Sequence, residues 1–301
     1  MKGVALLLLF VPAQDVDLRS EKGKVEIRVD GEAVGAYVFD DGAIKRPFLA
    51  NLRVPGGPQV TRTHPPAEGK DTTDHATMHP GVWLAFGDLG GGDFWRNKAA
   101  VEHVRFVQEP KGGAFTLLNR YRAGERVVCE ETCRVTVLRR GAGLLLVLDS
   151  AFSGPEPFAF GDQEEMGLGV RVATPLAVKA GGRMRDNAGR TNEKEIWGKP
   201  GEWCDYSGIL DGRRAGIFVV ADPTNPLPSR LHARDYGVLV FNPFGRKVFK
   251  AGDAARTEVK PGETLRLRFG VLLYRAPGPD GLDLKAEAAG VLESLRELAR
   301  P

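Results

Sequence analysis

Leu265-Arg266-Leu267-Arg268-Phe269-Gly270-Val271-Leu272-Leu273 is the stretch on which the fold turns. Leu265, Leu267, Phe269, Val271 and Leu273 recur at every second position, with Arg266 and Arg268 between them. A period of two is that of a strand with one buried face. The pattern repeats in Lys24–Val29, where Val25, Ile27 and Val29 alternate with Lys24, Glu26 and Arg28, and again over residues 135–138. Residues 144–148, 217–220 and 238–241 are apolar without interruption and read as central strands covered on both sides. Segments 33–39, 101–107, 115–121 and 169–173 add further strands. Helical spacing is convincing once: Leu284, Ala288, Val291, Leu292, Leu295 and Leu298 follow the break at Asp280-Gly281 and predict a helix over about 282–299. Ten or more strands and one terminal helix predict an all-β chain, a large two-sheet antiparallel β-sandwich forming a single domain over residues 14–301.

Composition narrows the function classes. Lys and Arg (42) nearly balance Asp and Glu (39) and the two signs are mixed along the chain, so nothing marks a nucleic-acid surface. Lys2, the apolar stretch 4–11 and the small Ala13 form a charged-apolar-small export signal. Residues 1–13 are therefore expected to be a cleaved signal peptide, and the protein to be exported. No later stretch nears the ~20 apolar residues of a membrane-spanning helix, so no membrane insertion is expected. Cys129 and Cys133 lie four apart in a strand-like run, about 13 Å if fully extended, which suits buried thiols better than a bridge.

Chemistry is expected in three segments that lack a clean strand pattern: 51–93, 186–208 and 222–237. The first holds His64, His75 and His79, then Trp83, Asp93 and Trp95. Histidine exchanges protons near neutrality and ligates metals when neutral. His75 and His79 have the spacing of a zinc helix, but Pro80-Gly81 follow directly and position 76 is Ala rather than the metalloprotease Glu, which argues against a zinc protease. Glu164-Glu165 precede a predicted strand, where one of the two can enter a site. The last segment carries His232, Arg234, Asp235 and Tyr236. All four tryptophans lie in or beside these segments, and flat rings beside Asp, Asn and Arg side chains suit a sugar, which needs a face to stack on and planar partners for its hydroxyls.

The chain resembles a bacterial family labelled PmoA-like, or "methane oxygenase PmoA", otherwise of unknown function. The matching pieces include Arg46-Pro47-Phe48, Val60-Thr61-Arg62, Asp74-His75, His79-Pro80-Gly81-Val82-Trp83, Asp93-Phe94-Trp95 and Glu165. They continue in Gly169-Val170-Arg171-Val172, Trp197-Gly198-Lys199, Asp205-Tyr206-Ser207-Gly208, His232-Ala233-Arg234-Asp235-Tyr236-Gly237 and Asn242-Pro243-Phe244-Gly245, in order and over nearly the whole chain. Many relatives carry Lys where this chain has Glu164. The resemblance implies a galactose-mutarotase-like supersandwich, an architecture that hosts sugar epimerases, lyases, hydrolases and binding domains. Methane oxidation does not follow, since that label belongs to an integral membrane protein.

The expectation is an exported, carbohydrate-active protein with a small-molecule or oligosaccharide ligand. His75, His79 and His232 are the candidate acid/base groups and Glu165 the candidate general base. Arg46, Arg62, Asp93, Arg234, Asp235 and Tyr236 are expected to hold substrate, with Trp83 and Trp95 stacking on it. The alternatives are a non-catalytic glycan- or partner-binding sandwich, and a metal-dependent oxygenase in which His75, His79 and Glu165 supply a two-histidine, one-carboxylate ligand set. No cofactor is otherwise expected.

Overall fold

The computed structural model describes residues 16–300; the proposed signal peptide lies outside them. Two eight-stranded antiparallel sheets face each other. The front sheet runs β1 (Val16–Glu21), β2 (Lys24–Val29), β3 (Glu32–Val38), β4 (Phe48–Ala50), β5 (Val82–Phe86), β11 (Met166–Arg171), β16 (Val238–Asn242) and β15 (Arg230–Arg234). The back sheet runs β12 (Arg183–Asp186), β13 (Trp203–Leu210), β14 (Arg213–Ala221), β18 (Leu265–Arg275), β9 (Gly143–Ser153), β8 (Arg126–Arg140), β7 (Ala114–Ala123) and β6 (Ala100–Lys111). A small ribbon pairs β10 (Phe158–Phe160) with β17 (Thr257–Val259), and a short helix α1 (Asn192–Ile196) precedes β13.

The alternation read from the sequence sets what lies between the sheets. Leu265, Leu267, Phe269, Val271 and Leu273 enter the central core, as do Val25, Ile27 and Val29 from the opposite sheet. The continuous apolar runs are continuous because both faces are covered. In β9, Leu144, Leu146 and Leu148 face the central core, whereas Leu145 and Val147 face α2 (Leu284–Leu298) on the outside of the back sheet. That helix starts where the sequence places it, after Asp283, whose carboxylate accepts the N–H groups of Lys285 and Ala286. Gly270 makes its seat: a Cβ there would stand 2.6 Å from Val291 Cγ1.

Three sequence expectations are corrected here. Trp83 sits in the middle of β5, His232 and Arg234 lie on β15, and Trp203 opens β13 beneath α2. None of these belongs to a loop. Residues 51–93 do contain the long connection that hid this, because it folds over the front sheet and buries the outer face of β5. With both faces covered, the period of two disappears from the strand. Cys129, Cys133 and Cys204 are free and buried, and burial raises their thiol pKa values. Among the described residues no helix is long and apolar enough to cross a membrane.

Candidate functional site

The outer face of the front sheet carries the chemistry. Register aligns Trp83 with Gly169, Gly169 with Val240 and Val240 with His232, one row across β5, β11, β16 and β15. At roughly 4.8 Å per strand the ends of this row lie about 14 Å apart. Gly169 is where the row needs no side chain: a Cβ there would stand 2.4 Å from Trp83 Cε2 and Cζ2, so the indole lies across it. The next outward residues are Arg171 on β11, Val238 on β16 and Arg234 on β15, in register with one another.

Above this floor, residues 72–79 are wound around two arginines. Arg62 donates to the carbonyl oxygens of Thr72, Asp74, His75 and His79. Arg46 donates to those of Trp95 and Met78 and to Asn97 Oδ1. Both are buried, and burial lowers them to about 10 and about 9, still charged at neutral pH. Arg171 binds Thr72 Oγ1 (2.8 Å) and Asp74 Oδ1 (2.7 Å) and lies 4.9 Å above the Tyr236 ring. The turn so held presents a series of stacked rings. His75 meets His79 at 5.0 Å, His79 meets Trp83 at 5.3 Å with 10° between planes, and His75 meets Tyr236 at 6.0 Å. Trp95 closes edge-on against both His79 and Trp83.

His79 is only 2% exposed, and burial together with the charges of Arg171, His75, Arg62 and Arg46 lowers it to about 2. It is a neutral imidazole, with one N–H and one lone pair, and neither ring nitrogen has a partner within the protein. Held neutral, it can donate one hydrogen bond and accept another. His75 is more open, and its Nδ1 lies 3.0 Å from Asp74 Oδ2.

A second cluster forms around Glu164. Its Oε1 lies 2.8 Å from His232 Nδ1 and accepts from Trp197 Nε1 (2.8 Å) and Arg234 Nη2 (2.6 Å). His232 and the other two partners hold Glu164 ionised against the cost of burial, down to about 2. Arg234 also donates to Glu193 Oε1 at 2.8 Å. His232 is nearly buried, and its Nδ1 lies at ion-pair distance from the carboxylate without the alignment of a hydrogen bond.

The expected residues thus divide. His75, His79, Trp83, Trp95 and Tyr236 come together, and His232 and Arg234 lie on the same face of the sheet at the far end of the row. Glu165, expected to be the base, is paired with Arg96 instead, and Glu164 is what His232 meets. Asp93 accepts Arg96 N–H within its own turn and pairs with Lys98. Asp235 and Glu193 exchange hydrogen bonds, each accepting the other's backbone N–H at 2.9 Å. Arg46 and Arg62 spend most of their donors on the chain itself. Among the described residues no three His, Cys, Asp or Glu side chains are gathered to hold a metal ion, so His75, His79 and Glu165 do not form the ligand set considered above. His64 leaves the site to contact Asp41. Arg171 was missed although it carries a signal: a lone charge in the apolar run 168–173 of a central strand. Glu164 had none to separate it from Glu165, because only the turn before β11 sends one towards β15 and the other towards Arg96.

One family model matches residues 24–285, that of a family of unknown function, DUF6807. No curated protein matches the chain. Among solved structures, it is similar to the GH36 alpha-galactosidase AgaA from Geobacillus stearothermophilus in complex with raffinose, at 11% identity and a TM-score of 0.42. It is also similar to a heparinase III (9%, 0.41) and to a GalM/aldose epimerase homologue from C. elegans (10%, 0.35). These likenesses cover 82%, 88% and 88% of this chain, against 40%, 36% and 99% of the others. The chain therefore spans less than half the length of the first two. With every score below 0.5, they carry nothing about the reaction.

Proposed function

The chain belongs to the DUF6807 family, whose function is unknown, and from that premise we propose that it is an exported carbohydrate-active enzyme working on the outer face of its front sheet. The observation that carries the reading is the Glu164–His232 pair on the same sheet face as a wall of aromatic rings. A carboxylate this close to Nδ1 offsets the positive charge that arrives when Nε2 takes a proton. Glu164, held near 2, is a poor base and a good orienting group. His232 is then the group that moves a proton at the sugar, and His75 with Asp74 forms a second such pair. Tyr236 links them, stacking with His75 and standing two residues from Arg234. The His79 and Trp83 rings supply the apolar face, and their unpartnered nitrogens meet sugar oxygens.

The test is a panel of aldoses, uronates and oligosaccharides, followed by NMR for anomer exchange, epimerisation, elimination and hydrolysis. Turnover that falls in His232→Gln while sugar affinity persists supports the assignment. Sugar binding without turnover by the wild-type chain would make this a binding surface. Undiminished turnover in His232→Gln would sink the role given to that residue.

A further inference from the structure

We infer that the buried end of the ring stack, between Arg171 and His79, is a subsite for the acid group of a sugar, the oxyanion of a uronate or of a sulfate ester. The inference rests on the carbohydrate reading above and names its substrate class.

Arg46, Arg62 and Arg171 are each no more than 2% exposed, and each keeps an N–H without a partner in the protein: Arg46 Nε, Arg62 Nε and Arg171 Nη1. The indole N–H groups of Trp83 and Trp95 are buried and unpartnered as well, as are both nitrogens of His79. These residues are neighbours. His79, Trp83 and Trp95 are in mutual ring contact, Arg62 donates to the His79 carbonyl, and Arg46 donates to that of Trp95. Buried donors are nearly always satisfied, so such a concentration marks a place built for an acceptor.

The balance of donors and acceptors says which kind. Counting His79 as neutral, these residues offer seven unpartnered N–H groups on six nitrogens, and one lone-pair nitrogen. A sugar hydroxyl brings a donor of its own, whereas an oxyanion only accepts, and its hydrogen bonds to guanidinium are the stronger kind. The permanent charges bearing most on His79 are all positive: Arg171, then Arg62 and Arg46. Asp93 and Glu165, which bear on Arg46, are themselves engaged by Arg96. The chain already places one carboxylate here, since Asp74 sits on Arg171 Nη2 beside the Thr72 hydroxyl, leaving Nη1 for another. Asp74 and His75 are the exposed rim, and Arg171 and His79 the floor.

The experiment is calorimetric titration of the full chain with D-galactose, D-glucose, D-galacturonate, D-glucuronate, D-galactose 6-sulfate and inorganic sulfate. It is repeated with His79→Phe, which keeps the stack and removes both nitrogens, and with Trp83→Phe, which removes one N–H. An acid sugar is expected to bind at least about tenfold tighter than its neutral parent. That advantage should shrink as salt is raised and disappear in His79→Phe, the acid sugar losing more affinity than its neutral parent. If His79→Phe fails to fold, a smaller loss of the same advantage in Trp83→Phe carries the test. Preference for the uronates or for the sulfate ester supports the subsite and identifies its anion. Neutral parents binding as tightly as their acids overturn it and leave the carbohydrate reading standing. Binding of inorganic sulfate with no sugar preference overturns it too, and binding of no sugar at all overturns both.

Discussion

The two sheets bury their outer faces in the same way and for different ends. On the back sheet, Leu145, Val147, Phe218, Val220 and Leu272 receive the apolar side of α2, with Val291 seated on Gly270. On the front sheet, Phe48, Ala50, Ala85, Val238 and Val240 receive a loop, with the Trp83 indole lying across Gly169. Each cover uses a glycine to bring a large group close. The helix satisfies its backbone polar groups internally and brings Leu, Val and Ala to the contact, so its cover is complete. The loop cannot do so. It recruits Arg46 and Arg62 to satisfy its carbonyls, and it leaves ring nitrogens of His79, Trp83 and Trp95 unpaired. Burial alone therefore does not separate scaffold from site; what marks the front cover is the clustering of unpartnered nitrogens on contacting rings.

The largest expected effect breaks the comparison on the functional side. His232→Gln should lower turnover by about 10²–10⁴-fold, the usual weight of a general acid–base group, in steady-state kinetics with the best substrate of the panel. Unfolding by urea should change far less. The mirror experiment is Leu295→Ala under α2, expected to cost about 2–5 kcal/mol of stability through lost burial and a cavity, with ligand affinity unchanged. If Leu295→Ala altered affinity, the two covers would be coupled.

A pH experiment sharpens the contrast. His79 is held at about 2, below the ordinary 6.5, so the unfolded chain binds a proton there that the folded one refuses. Its contribution to stability is therefore lost as pH falls below 6.5, by about 2 kcal/mol between pH 7 and pH 5. Glu164 adds a loss of the same sign only below its ordinary 4.5, as pH falls towards 2. His103, also lowered by burial, acts in the same direction as His79, so the comparison is between wild type and His79→Phe. The variant should lose about 2 kcal/mol less over that interval in denaturant titrations at the two pH values. An unchanged slope would mean that His79 takes up its proton in the folded state.

The smallest effects come from the two glycines. Gly169→Ala and Gly270→Ala each force a buried group aside and should cost about 1–3 kcal/mol. They part in function: displacement of Trp83 should weaken sugar binding, and displacement of Val291 should not. Equal effects on binding would remove the distinction between the two faces.

The sandwich and its helix were readable from short range because they rest on local periods. Two residues per repeat in Leu265 to Leu273, and three to four in Leu284 to Leu298, follow from which side of a strand or helix meets water. Where both sides are covered the period vanishes, which is why Trp83 reads as a loop residue; in β15 the alternation of Arg230, His232 and Arg234 with Leu231 and Ala233 is intact but only five residues long. The presence of histidines, tryptophans and arginines near a site was also legible, since polar and aromatic types were crowded outside the clean strands. Their roles were not. Arg62 reads the same whether it binds substrate or the carbonyl of His79, and adjacent Glu164 and Glu165 are chemically identical until one meets His232 and the other Arg96. Chain order carries a residue's own chemistry and its nearest repeat. Only packing brings the partners, dozens of positions away, that decide whether a charge is spent or still available.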